Sequence, residues 1–421
     1  MTTNSKNIRK ALIILACNLS FIVCQDYNYT LDLFSNGSDN EYWWISKNNE
    51  GKFIKKQNFY FNFSRTKSPT SYKLTLSNNF TKDQKLKIGE SYIKHNFSDH
   101  FFLRFGKYYR DFSKYLNDEI SSGSMLISKN AQPMNKVGLV GNYKLKRNND
   151  FSFNWGISHG IFRKNRFYSD APFLHEKFLY LNYSKNSSNI FSVGIVHEAI
   201  WAGTTTDLGS ANNPGNQPDS FKDFLKVFVS ADGPKISGEA HANALGSHIG
   251  IWDFIYIKKI ANRKMKVYYQ HYFEDTSSFR FANKTDGLWG VELENYFSQT
   301  NFLLEYLDTS HCCINPPYQN DDYYANYQYR DGWKYNGMII GNPFVNDSNS
   351  RDKIRLFHLG FTANKKTISF QMKASKITNR NDQIKFKAVV NKKIDKNSIY
   401  FFVVGNEKNY STGFGITFLN K

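Results

Sequence analysis

Residues 354–378 read IRLFHLGFTANKKTISFQMKASKIT, and the alternation within them decides the fold. Across Thr367–Thr378, Ile368, Phe370, Met372 and Ala374 interleave with Ser369, Gln371, Lys373 and Ser375. Successive strand side chains point to opposite faces, so this is a strand with one apolar and one polar surface. The pair Lys365–Lys366 separates it from a similar run, Ile354–Asn364, and leaves room only for a tight turn. Paired segments of about ten residues with this pattern suit a barrel wall set between lipid and a polar lumen.

The pattern extends in both directions. Strands are expected at Tyr42–Ser46, Asn58–Ser64, Ser71–Ser77, Lys85–Lys94, Phe101–Lys107, Lys136–Leu145, Phe151–Ile157, Glu176–Ser184 and Ile190–Ile200. They continue at His248–Lys258, Lys264–Tyr272, Asp286–Phe297, Asn301–Asp308, Ile384–Ile394, Ser398–Asn406 and Tyr410–Phe418, giving about 18 in all. Connections alternate in length. Lys146–Asp150, Lys185–Asn189, Ala261–Arg263, Ser298–Thr300 and Asp395–Asn397 are turn-like. The other set holds every long stretch: Tyr108–Asn135, Ser158–His175, Trp201–Ser247, Phe273–Thr285 and Thr309–Lys353. Short turns at one rim and long loops at the other mark an outer-membrane barrel, whereas a soluble sandwich has no reason to sort loops by parity.

Composition agrees. The chain has 27 Tyr, 37 Phe and 7 Trp, 17% aromatic. Beyond the N-terminus no run approaches the roughly 18 apolar residues of a spanning helix. Lys6, Arg9 and Lys10 precede the largely apolar Ala11–Val23, so residues 1–24 read as a secretory signal and 25–421 as a single barrel domain. Acylation at Cys17 is the competing reading of that leader. The formal charge is +19, three of it in the leader. That balance suits anionic partners, among them lipopolysaccharide or an acidic polysaccharide, and export argues against nucleic acid. Codon bias toward Lys explains it equally well. Cys312 and Cys313 are adjacent and cannot staple distant segments, leaving a vicinal disulfide or two thiols.

One segment breaks the strand pattern. In Asp219–Phe228, Phe221, Phe224, Leu225 and Phe228 form a helical stripe, with Ser220 and Asp223 spaced as a capping box. The expected place for this helix is the lumen, as a plug. The outer rim is the alternative. Tyr108–Leu116 has weaker helical character.

With these segments placed, the chain resembles the capsule assembly (Wzi-type) outer-membrane protein family. Tyr42–Ser46 with Asn48, Asn49 and Gly51 is similar to the family's opening element, and Gly123–Met125, Pro172–Phe178 and His197–Gly203 follow. Leu245–Ser247, Tyr268–His271 with Phe273–Asp275, Asp286–Gly290, and Glu305–Thr309 come next. Tyr323, Tyr324, Asn326, Gly332, Trp333, Tyr335 and the Gly341–Pro343 turn complete the set. The resemblance implies an 18-stranded barrel plugged by its own loops and short helices. It also implies lectin-like attachment of capsular or extracellular polysaccharide at the cell surface, without catalysis.

The residues themselves weigh the chemistry similarly. His197–Glu198 begins like a zincin helix, but Trp201 stands where the second His belongs and the segment is a strand. Glu274–Asp275 and Asp321–Asp322 are acidic loop pairs that could act as acid and base or bind calcium. Solvation or pairing with Lys and Arg is the plainer reading. Tyr318, Tyr323, Tyr324, Tyr327 and Trp333, interleaved with Asp321 and Asp322, form the expected saccharide platform, with Glu274 and Asp275 beside it. Packing of the plug explains Trp333 and Tyr335 equally well. No cofactor or metal is expected, and the barrel is expected to act as a monomer in outer-membrane lipid. A diffusion porin is the alternative function, and a barrel hydrolase a third.

Overall fold

The computed structural model describes residues 27–420 apart from 39, 53, 80–85, 146–149, 187, 208–212, 236–241, 275–278, 313–322 and 346–352. The expected leader, 1–24, lies outside them.

Eighteen antiparallel strands close into one barrel. They are β1 (Tyr27–Asn36), β2 (Gln57–Arg65), β3 (Thr70–Asn79), β4 (Lys87–Ile88 and Ser91–Asn96), β5 (Phe101–Tyr108) and β6 (Met134–Lys144). Then come β7 (Phe151–Ile161), β8 (Phe173–Asn186), β9 (Asn189–Trp201), β10 (Ser247–Ile260), β11 (Arg263–Phe273) and β12 (Gly287–Glu294). The last are β13 (Thr300–Asp308), β14 (Arg355–Lys365), β15 (Ile368–Ile377), β16 (Lys385–Ile394), β17 (Asn397–Asn406) and β18 (Tyr410–Asn420). Each pairs with its sequence neighbours, and β18 returns to β1 from Tyr29↔Asn420 to Asn36↔Gly413. Among the described residues, closure leaves no edge strand in the wall, which a bilayer would not tolerate.

The alternation sorts each wall. On β13, Phe302 and Leu304 are exposed outward, whereas Leu303, Glu305 and Leu307 are buried inward. Several inward aromatics lie over a glycine on the next strand. A Cβ on Gly194, Gly290 or Gly415 would fall 2.2, 2.0 or 2.3 Å from the rings of Tyr180, Tyr268 or Tyr400.

The lumen is filled. Residues 109–133 leave β5 and descend into it, where the wall's polar groups bind them. The Ser113 and Tyr115 hydroxyls donate to Asp253 at 2.6 and 2.5 Å. Ser121 Oγ and the Ser122 amide donate to Glu305 at 2.6 and 2.7 Å, and the Met125 amide donates to Gln270 at 2.9 Å. His358 Nε2 donates to the Ile120 carbonyl at 2.6 Å. A buried Lys136–Glu176 pair at 3.0 Å stands beside them, with the ammonium also donating to the Tyr109 carbonyl.

Three expectations need correction. Tyr42–Ser46 is not a strand: Trp43–Ser46 forms a single helical turn, α1, that buries the consecutive Trp44 and Ile45. β1 already pairs directly with β2, so no slot remains in the wall. The true first strand carries its own alternation, Tyr29, Leu31 and Leu33 against Thr30 and Asp32. Tyr108–Leu116 is the end of β5 followed by turns. The Phe221–Phe228 helix, α2, has the expected Ser220–Asp223 capping box, but it lies on the outer wall. Glu176 faces the lumen, so its neighbours His175 and Lys177 face out, and they are what α2 touches. Phe224 and Phe228 lie 5.4 and 5.3 Å from the His175 ring, and Lys177 donates to the Phe228 carbonyl. The lumen is occupied by residues 109–133, and α2 instead covers the outward His175 and Lys177.

Candidate functional site

The long-loop rim carries a cleft of about 580 Å³, enough for one or two sugar rings. Residues 40–43, 45–47, 52 and 54, from the connection between β1 and β2, build one side of it. Tyr42 and Trp43 of the α1 turn are half-buried, with Asn40 and Glu41 exposed beside them. Lys385 at the start of β16, Asn406 at the end of β17 and Met338 complete the lining with Lys47 and Lys52.

The Trp43 ring is held in place. It packs on Phe344 with centroids 4.5 Å apart, and the ammonium groups of Lys385 and Lys47 lie 5.2 and 5.8 Å from its centre. Cation–π attraction keeps those charges near the aromatic face. Burial pushes the Lys47 ammonium below its usual pKa, with Glu41 pulling the other way. Lys52 bridges Glu50 at 2.7 Å and lies 4.1 Å from the Tyr60 ring. Among the described lining residues Glu41 is the only carboxylate. The cleft therefore offers two aromatic faces, two amides and three ammonium groups, of which Lys52 is paired with Glu50 and Lys385 with Asp382.

The loop beneath it is strongly anchored. The Glu50 and Gly51 amides donate to the Lys129 and Asn130 carbonyls at 2.6 and 3.0 Å, and Asn48 Nδ2 donates to the Ser122 carbonyl at 2.6 Å. Asn48, Glu50 and Gly51 adopt φ values of 48°, 58° and 63° to make that turn. Burial disfavours the Glu50 charge, but Lys52 and Lys129 outweigh it and hold the carboxyl down to about 2.

The expected saccharide platform is placed differently. Tyr323, Tyr324 and Trp333 are buried at 4, 1 and 2% exposure, so they pack the plug and present no face to a glycan. Their polar atoms are spent internally. The Tyr323 hydroxyl donates to Asp286 at 2.7 Å, that of Tyr324 donates to the Met125 carbonyl, and Trp333 Nε1 donates to the Leu126 carbonyl at 2.8 Å. Tyr327 and Glu274 are half-buried, and Glu274 accepts from the Tyr272 hydroxyl at 3.1 Å. Tyr318, Asp321, Asp322 and Asp275 lie outside the described residues. Cys312 is buried and disulfide-bonded.

Asp286, Asp308 and His311 lie close enough to share a cation. Their carboxylates are already engaged: Asp286 by the His311 amide and the Tyr323 hydroxyl, Asp308 by the Ser310 amide and the Tyr306 hydroxyl. No metal is assigned to them. His197 faces outward and Glu198 inward on β9, which removes the zincin reading.

Residues 40–400 match the family described as capsule assembly protein Wzi. Among similar solved structures is OpdO from Pseudomonas aeruginosa, at 10% identity and TM-score 0.45, covering 94% of this chain and 97% of that one. A Rhodopseudomonas blastica porin variant gives 8% and 0.39, covering 94% and 98%. CdiB from Acinetobacter baumannii gives 10% and 0.37, and there the chain spans only 60% of the other's length. No curated protein sequence matches.

Proposed function

The chain belongs to the capsule assembly protein Wzi family of outer-membrane barrels, and from that premise we propose that it attaches capsular or extracellular polysaccharide non-catalytically, through the cleft at its long-loop rim. The carrying observation is the pairing of Trp43 with Lys47 and Lys385 in a mouth-side cavity. A sugar's C–H face stacks on an indole, and acidic residues of a glycan would meet the ammonium groups. That rim faces the cell surface, since short turns mark the periplasmic side of such barrels. The filled lumen favours attachment over a diffusion porin.

The test is surface retention of polysaccharide in a deletion strain. Complementation with the wild type should restore cell-bound glycan, while Trp43→Ala with Lys385→Glu should leave it in the medium, with the variant barrel still in the outer membrane. Unchanged retention on deletion would overturn the attachment reading.

A further inference from the structure

The outer wall between β7 and β10 is unusual for a lipid-facing surface. His159, His175, His197 and His248 all point outward there, with Lys177 among them, as the registers His159↔His175, Lys177↔His197 and Ala199↔His248 require. Bare imidazoles and an ammonium would be costly against acyl chains. They are not bare. His175 is fully buried and His197 is 7% exposed, because α2 and the chain after it lie over them. Phe224 packs on His159, His175 and Trp201 at 5.3, 5.4 and 5.6 Å, and Val227 is buried with Ala199, Ala202 and Leu245.

The rest of the helix's apolar arc points away from the protein. Phe221 is 75% exposed, Leu225 49% and Val229 69%. This face continues the outward belt formed below it by Leu179, Leu181, Phe191 and Val193. On the helical wheel Lys222 and Lys226 fall on the polar arc bordering it, and Asp223 is tied into the cap by Ser220. The helix thus has three sides: one on the barrel, one apolar and outward, one basic.

The geometry points to α2 as an interfacial helix that completes the lipid-facing wall in the outer leaflet. Its exposed apolar arc lies among acyl chains, and Lys222 and Lys226 engage the phosphates of lipid A. This rests on the surface orientation of the long-loop rim proposed above, which puts α2 on the glycolipid side. An amphipathic helix with basic residues flanking its apolar face is the expected interfacial design.

Spin labels at Leu225→Cys and Lys222→Cys, one per full-length chain in liposomes, read depth directly, with labelled wild type as background. The label at 225 should relax with oxygen and be shielded from an aqueous nickel complex, and the label at 222 should do the reverse. Equal exposure of both to the nickel complex would overturn the interfacial placement, whichever way the barrel faces. Lipid choice is read separately from the temperature at which the folded, fast-migrating gel form is lost. Lipid A in phosphatidylcholine should raise it, and Lys222→Glu with Lys226→Glu should abolish the rise. A rise of the same size with phosphatidylglycerol at matched charge, or one surviving in the charge variant, would overturn the lipid A assignment. Failure of glycan retention with intact depth readings would strike only the attachment reading.

Discussion

Glu50 ties the mouth cleft to the plug, and its ionisation makes that tie sensitive to acid. Its carboxyl is held at about 2, below the 4.5 usual for a glutamate, so the charged form is favoured in the folded state. The stabilisation is therefore complete above about pH 4.5 and lost as pH falls through 2. The full shift corresponds to about 3 kcal/mol. With 24% of the side chain exposed, screening reduces it to roughly 1–2 kcal/mol. The stability gap between wild type and Glu50→Gln should be constant near neutrality and close between pH 4.5 and 2. A gap that persists at pH 2 would refute it. The Tyr-rich loop shows what single residues conceal. A tyrosine serves a sugar platform or a core equally well, because it has an apolar face and a polar tip. Nothing within Tyr323–Trp333 says that Met125, Leu126 and Asp286 will occupy those tips.

Strands were legible from the chain because their period is local. The seventeen wall strands from Asn58 onward follow directly from alternation, as does the parity of the connections. Helix α2 was equally legible down to its cap. Its position was not, since an apolar stripe reports that a face is covered without naming the cover, and lipid serves as well as a lumen. The same gap hid the cleft: Tyr42 and Trp43 look like strand aromatics until β1 takes their place beside β2. At this scale the glycine–aromatic contacts make a prediction. A methyl on Gly290 would meet the Tyr268 ring at 2.0 Å with Glu305 bonded to its hydroxyl, so the ring cannot swing clear. Gly290→Ala should lower stability by about 1–3 kcal/mol, the usual cost of overpacking. Urea unfolding of the refolded barrel measures this, and an unchanged midpoint would show that the ring relaxes freely.

For the whole molecule, the plug decides between a wall and a pore. Wild type in planar bilayers should show no stepwise conductance, whereas removal of residues 110–132 should open the lumen, provided the gel mobility of a folded barrel is kept. Steps from the wild type would bring the porin reading forward. The plug also has a consequence for how the molecule comes to exist. It precedes in the chain most of the strands that hold it: Asp253 on β10, Gln270 on β11, Glu305 on β13 and His358 on β14. Those contacts cannot be complete until β14 has been made, so residues 109–133 wait on strands that follow them in the chain, and the β1–β18 seam joins the first strand to the last. Such an object resembles a parcel whose contents are tied to the wrapping itself, so the packing of one is fixed only when the other is finished.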